Sequence, residues 1–97
     1  MFTSKQRSHL KSIAANLDPV MQVGKEGISD NLLKSLSEAL EARELIKITI
    51  LESATDEPKV MAQEIAAALK AQVVIVMGRK AVLYRYSSRN NFKHSEY

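Results

Sequence analysis

The sequence contains no cysteine, three glycines and two prolines among its 97 residues. The absence of cysteine excludes disulfides and thiolate metal sites, and so few glycines and prolines argue against long irregular loops. The longest strongly apolar run, Val73 to Met77, is far shorter than the ~20 residues that span a bilayer. Met1 to Lys5 does not resemble the start of a signal peptide. We therefore expect a cytoplasmic protein with no membrane partner.

The chain has little excess charge of one sign, since its net charge is +3. The basic and acidic residues are, however, unevenly distributed along it. Residues 1–25 carry a net charge of +3, residues 26–77 carry −4, and residues 78–97 carry +4. A fold that brings the two basic ends together would present a face suited to a polyanion, whereas separated ends would be ordinary solvated charges. A chain of this length forms one domain with a single two-layer core, which leaves no room for a separate catalytic domain.

The first periodic segment, SKQRSHLKSIAANL, predicts an amphipathic helix. Its apolar side chains recur at i, i+3, i+4 and i+7: Leu10, Ile13, Ala14 and Leu17. Thr3 and Gln6 fit a capping box, and the helix should end at Asp18 because proline at position 19 disfavours the α conformation of the residue before it.

The rest of the chain alternates strands and helices. We predict a strand over Pro19 to Val23, a helix from Ser29 to Arg43, a strand over Leu45 to Leu51, and a third helix that has Pro58 in its first turn. A hairpin should follow, formed by Val73 to Met77, Gly78-Arg79-Lys80 and Ala81 to Tyr86. The order α-β-α-β-α-β-β predicts an α/β fold of the two-layer α+β type, with a mixed four-stranded sheet. Since Lys47 and Thr49 alternate with isoleucines, one face of the sheet should remain uncovered by helices.

No catalytic set is visible in the sequence. His9 and His94 have no partner at catalytic or metal-ligand spacing, so we expect neither an enzyme, nor a metal, nor a cofactor. Glu38, Glu41 and Glu44 should lie along the exposed side of the second helix. A nucleotide-binding P-loop is also absent, because its lysine would directly follow the last glycine.

The loop Gly24-Lys25-Glu26-Gly27 has two possible interpretations. It is a plain turn that uses glycine for positive φ, or it brings amides and Lys25 close to a phosphate at the start of the second helix, as the GXXG loop of KH domains does. Glu26 and Asp30 oppose an incoming anion, so the site would be weak by itself and would depend on neighbouring bases.

Four segments closely resemble the stand-alone bacterial CRM-domain proteins, also called the YhbY or YqeI family, over about residues 3–86: SKQRSHLKSIA, PVMQVGKEGIS, LLKSLSEALEARELIKI and VVIVMGRKAVLYR. This resemblance implies an RNA-binding domain over residues 1–86. It also implies a fold like the C-terminal domain of translation initiation factor three, with strand order 1-2-4-3 and helices on one face. The implied role is on precursors of the large ribosomal subunit. The tail at 87–97 lies outside the resemblance, and because it is rich in serine, asparagine and charge we expect it to be polar, basic and flexible.

Carried across by position, the family's glycine loop is Gly24, Lys25, Glu26 and Gly27, and its basic helix face is Lys5, Arg7 and Lys11. Arg79, Lys80 and Arg85 complete the predicted RNA-binding set. Tyr84 and Tyr86 either stack on bases or pack in the core.

The sequence therefore predicts a non-catalytic, monomeric RNA-binding protein that acts on rRNA in pre-large-subunit particles, with no small-molecule substrate. The alternative is a protein-interaction adaptor that contacts ribosomal proteins through its acidic second helix or an exposed sheet face. A small nucleotide-dependent enzyme is a distant third hypothesis.

Overall fold

The computed structural model describes residues 4–54 and 56–86. Within that part of the chain the elements follow the predicted order: α1 (Ser4–Ala14), β1 (Pro19–Val23), α2 (Asp30–Arg43), β2 (Leu45–Ile50), α3 (Pro58–Leu69), β3 (Gln72–Met77) and β4 (Lys80–Tyr84). No helix among these residues is long and apolar enough to cross a bilayer. The predicted capping residue Thr3 and the predicted tail at 87–97 lie outside the described residues.

Local sequence signals set several of these boundaries. The Ser29 side chain accepts a hydrogen bond from the Leu32 amide at 3.1 Å, which confirms the predicted start of α2. Pro58 occupies the first turn of α3, where its missing amide costs no helical hydrogen bond. Gly78 has a φ of 58° in the tight turn between β3 and β4, a conformation that favours glycine.

The four strands form one mixed sheet in the order β1-β2-β4-β3. Strand β1 pairs with β2 in parallel, and β4 pairs antiparallel with both β2 and β3. Both the mixed sheet and the strand order implied by the family resemblance are confirmed. Because β4 separates them, β2 and β3 run in the same direction without pairing.

The main core lies between the sheet and helices α2 and α3. Its buried side chains come from both helices and from the isoleucines of β2, and Ala81 and Leu83 of β4 complete the sheet side. Leu36 and Leu40 of α2 are fully buried in this layer. For these two helices, the expectation that helices pack on one face is correct.

Helix α1 packs on the opposite face, so the expectation of one uncovered face is wrong. Leu10 and Ala14 of α1 are fully buried against Leu45, Val74 and Val82 in a second cluster. Strands β3 and β4 are apolar on both faces, and a strand of this kind needs a cover on each side.

Lys47 misled the prediction because lysine combines an apolar stem with a charged end. It is only 7% exposed, and its ammonium group donates a hydrogen bond to the Leu17 carbonyl at 3.1 Å. A backbone acceptor from the segment after α1 therefore satisfies the charge while the stem is buried. Alternation of lysine with isoleucine did not mark a wet face here.

The acidic residues of α2 also differ from the expectation of one solvated side. Glu38 is exposed and Glu41 is half-buried, whereas Glu44 is fully buried. Glu44 lies just beyond the end of α2 with a φ of 62°, so helical spacing no longer determines where its side chain points. Its backbone amide donates to the Leu40 carbonyl, and its carbonyl accepts from the Arg85 amide.

Candidate nucleic-acid interface

Three connections meet at one edge of the sheet, which we call the loop edge: residues 24–27, 51–53 and 78–80. Because β1 and β2 are parallel with Val23 opposite Ile50, the segments that follow them leave the sheet side by side. Strand β4 is antiparallel to β2 with Lys80 opposite Thr49, so the hairpin turn lies at the same edge. The fold thus brings the glycine loop and the basic hairpin together.

Backbone hydrogen bonds hold these connections in place. The Leu51 amide donates to the Val23 carbonyl at 2.8 Å, and the Ile50 amide donates to the Arg79 carbonyl at 2.7 Å. The Arg79 guanidinium returns to the same strand, since its Nε donates to the Ile50 carbonyl at 2.7 Å and its Nη2 to the Leu51 carbonyl at 2.5 Å. Arg79 is therefore a positioning residue whose charge lies at the edge while its donors face the backbone.

The two glycines of the loop each have a structural reason. The Gly27 amide donates to the Gly24 carbonyl at 2.9 Å, which closes a β-turn, and Gly27 has a φ of 67°. A Cβ added at Gly24 would lie 3.3 Å from the Ser53 hydroxyl oxygen and 3.4 Å from a Leu51 methyl carbon. The turn geometry is compatible with both interpretations of the loop, because it leaves Lys25 and Glu26 exposed at its tip.

The loop opens onto a shallow cavity of about 280 Å³ lined by Gly24, Lys25, Glu26, Leu51 and Ser53. Its polar groups are one ammonium, one carboxylate and one hydroxyl, so its charge is balanced. Neither Leu51 nor Ser53 was predicted from the sequence. The parallel pairing of β1 with β2 is the signal that would have indicated Leu51 and Ser53, since it places the segment that follows β2 beside the segment that follows β1.

The remaining basic candidates on this side of the molecule lie on α1 and β4. Lys80 is exposed at the loop edge, and Lys5 and Lys11 are exposed on α1. Arg7 belongs to the same helix. Helix α1 covers the sheet face to which Lys80 belongs, because Val82, two residues further along β4, is buried beneath that helix. The predicted set therefore divides between the loop edge and one helix on the adjoining face.

Arg85 lies at the other end of β4, and its guanidinium makes internal contacts. Nη1 donates to the Leu69 carbonyl at 3.0 Å, while Nη2 donates to the carbonyl and hydroxyl of Ser37 at 2.9 and 3.0 Å. Nη2 also lies 3.4 Å from a Glu41 carboxylate oxygen. Arg85 thus joins α2 to the C-terminal end of α3, where the helix dipole favours a cation. We assign it a structural role instead of RNA contact.

Within residues 4–54 and 56–86, the aromatic side chains Tyr84 and Tyr86 do not form a stacking platform on the sheet. Tyr84 is half-buried and packs against the cluster beneath α1. Tyr86 is 63% exposed but follows β4 instead of sharing a strand with Tyr84. Packing is therefore the better interpretation of Tyr84.

Among residues 4–54 and 56–86, no group of three histidine or acidic side chains is arranged to hold a metal ion. His9 is exposed on α1. The second histidine, His94, lies outside the described residues.

Comparisons with known proteins agree with the resemblance seen in the sequence. The model of the CRS1 / YhbY (CRM) domain matches residues 2–85. The chain is 41% identical over 90 residues to "Probable RNA-binding protein YqeI" of Bacillus subtilis, with 93% of this chain and 94% of that protein covered. It is 32% identical over 85 residues to "RNA-binding protein" of Haemophilus influenzae, with 88% and 86% covered. The solution structure of SAV1595 from Staphylococcus aureus aligns with a TM-score of 0.77 at 41% identity, covering 94% of this chain and 95% of that one.

The contacts of Arg85 lead to a prediction about stability. Arg85→Met keeps much of the apolar stem but removes all the donors, so Ser37 and Leu69 lose charge-assisted hydrogen bonds. We expect a loss of about 2 kcal/mol in the free energy of unfolding and a melting temperature lower by on the order of 10 °C. Urea and thermal denaturation would measure both. Lys34→Met, at an exposed position of α2, is the control and should change little; equal effects of the two substitutions would contradict the structural role.

Proposed function

Because the chain belongs to the CRS1/YhbY (CRM) domain family, we propose that it is a non-catalytic, monomeric protein of the cytoplasm that binds RNA. The observation that carries the proposal is the convergence of Lys25, Lys80 and the glycine loop at one edge of the sheet. Relatives of nearly the same length are named as RNA-binding proteins, which supports the same chemistry here.

The loop edge suits a nucleic-acid backbone better than a small anion. Glu26 lies beside Lys25 and Asp30 lies in the first turn of α2, and each carboxylate disfavours a single tightly held phosphate. A polyanion overcomes this by contacting several cations at once, with release of its counterions at each contact. Lys5 and Lys11 on α1 provide further contacts beyond the edge. Binding should therefore depend on the sum of weak contacts.

The competing adaptor hypothesis loses much of its proposed surface. It used the acidic second helix or an exposed sheet face, and on α2 Glu44 is buried and Glu41 lies close to Arg85. Glu38 alone of these three carboxylates is exposed. Glu38 and Asp30 are the exposed carboxylates left on α2, and such separate charges are a poor basis for electrostatic docking, because exposed charges are screened and contribute little by themselves.

We also propose that the RNA is rRNA in precursors of the large ribosomal subunit, a choice that rests on the family resemblance. Crosslinking the protein to RNA in cells and sequencing the bound fragments should enrich precursor rRNA of the large subunit over messenger RNA. The variant in which Lys25 is replaced by Gln should give a lower yield with the same distribution. A distribution that follows RNA abundance without preference for large-subunit sequences would contradict this part of the proposal.

The salt dependence of RNA binding tests the role of Lys25. With about three to five phosphate contacts, log K of the native protein should fall with log salt at a slope of roughly −2 to −4. Lys25→Gln should weaken binding and reduce the magnitude of the slope by about 0.7 to 0.9, since it removes one contact. Its melting temperature should not change, because an exposed loop side chain contributes less than ~0.5 kcal/mol to folding.

Two further variants serve as controls for this titration. Lys70→Gln removes the same charge at the end of α3 away from the loop edge, and should leave the slope nearly unchanged. Glu26→Gln should tighten binding, because it removes a carboxylate from the path of the phosphate. If Lys25→Gln and Lys70→Gln behave alike, the loop is a turn and no more. A slope near zero for the native protein would refute electrostatic RNA binding.

A further inference from the structure

Four side chains form a row across the sheet at the loop edge. Gln22 of β1 pairs with Thr49 of β2, Thr49 pairs with Lys80 of β4, and Lys80 pairs with Met77 of β3. Paired residues of neighbouring strands present their side chains on the same face, so these four, which we call the open row, point to the α1 side of the sheet. With strands about 4.8 Å apart, the row is roughly 14 Å long.

The open row is accessible although the next row is covered. Gln22 and Lys80 are exposed, Thr49 is half-buried, and Met77 is 42% exposed. One step further from the edge, Lys47 and Val82 are buried beneath α1 and the segment that follows it. A helix with its side chains is about 10 Å across, so α1 forms a wall beside the row. A shallow cavity of about 520 Å³ includes part of the open row. It is lined by Pro19, Val20, Met21, Gln22, Thr49 and Lys80.

The open row combines groups that suit an unpaired nucleotide. The Gln22 amide offers both donors and an acceptor, and the Thr49 hydroxyl can act in either sense. Lys80 adds a cation, and the Met77 thioether is a polarizable surface suited to a flat ring. None of the four carries negative charge, in contrast to the acidic middle of the chain, so the row complements a polyanion.

We propose that the open row binds a short unpaired segment of the same RNA whose phosphates contact the loop edge; this inference rests on the proposed function. Gln22 and Thr49 hydrogen-bond to base edges, Lys80 contacts the adjoining phosphate, and Met77 packs on a base. The row lies on a sheet face beside the wall of α1 and does not project as an element that could enter the groove of a duplex, whereas unpaired bases can be laid on the sheet. The row therefore recognises bases, and the loop edge recognises backbone.

A protein strand added to the free side of β1 would be another occupant of this region. The structure disfavours it, because the pairing of β1 is irregular between Pro19 and Met21, and Pro19 has no amide to donate. Irregular pairing and edge proline are devices that prevent strand addition. The side chains of the row also point out of the sheet face instead of along its edge.

The matched pair Gln22→Glu and Gln72→Glu tests the proposal. Gln72 is likewise exposed on a strand, but it pairs with Tyr84 at the other end of the sheet. Both substitutions change the net charge equally, so their difference isolates the row. The probes are an RNA stem with a single-stranded extension and the same stem with a blunt end, titrated against full-length protein by fluorescence anisotropy.

We expect Gln22→Glu to weaken binding of the extended probe by about fivefold to tenfold, the range of one lost base contact. Gln72→Glu should cause a much smaller change. On the blunt probe, the two variants should bind with the same affinity. Thr49→Val, which preserves shape and β propensity, should weaken binding of the extended probe by about threefold. Melting temperatures would show that all variants are folded.

Other results would overturn the proposal in distinguishable ways. If Gln22→Glu equals Gln72→Glu on the extended probe and Thr49→Val binds as the native protein does, the row does not bind bases, even where Lys25→Gln still weakens both probes. If the native protein binds neither probe in a salt-dependent manner, the proposed function itself fails. If the row variants abolish association with a purified ribosomal protein but leave RNA affinity unchanged, the occupant is a protein and the proposal is wrong.

Discussion

The parallel pairing of β1 with β2 is the constraint on which the candidate site depends. It requires α2 to cross over the sheet, and it makes the ends of both strands emerge together beside Gly24 and Leu51. The antiparallel entry of β4 between β2 and β3 then brings Arg79 and Lys80 to the same edge. Loop residues that are distant in the chain thereby become neighbours on a hydrogen-bonded scaffold.

The arginines at 79 and 85 and the lysines of the loop edge have different tasks in this small fold. The guanidinium groups of Arg79 and Arg85 each hold carbonyl oxygens at a point where elements must be joined, a use suited to several donors in a fixed fork. Lys25 and Lys80 are exposed at the loop edge, where a flexible lysine side chain can follow the phosphates of a mobile RNA backbone. A count of basic residues therefore overestimates the number available to RNA, because part of the positive charge maintains the fold.

Local signals in the sequence predicted local structure well. The Ser29 cap, Pro58 in the first turn of α3 and Gly78 in the hairpin all depend on interactions within a few residues, so their consequences could be inferred directly. The face chosen by α1 and the burial of Lys47 depend on contacts between distant segments, and a lysine stem fits a core as well as a surface. The glycine loop was found by its pattern, whereas Ser53 and the open row required the register of the strands. Arg85 was predicted to bind RNA; its internal contacts depend on carbonyls presented by two helices, which no local pattern in the sequence indicated.

The central claim is that RNA is bound at the loop edge and the adjoining open row. Titrating the ¹⁵N-labelled protein with an RNA stem that carries a single-stranded extension would test it most directly, residue by residue. The account predicts that amide chemical shifts change chiefly at 24–27, 51–53 and 78–80 and at Gln22 and Thr49. The amide chemical shifts of Ser37 and Arg85 should stay the same. Shift changes centred on α2 and Arg85, with the loop edge unaffected, would contradict it.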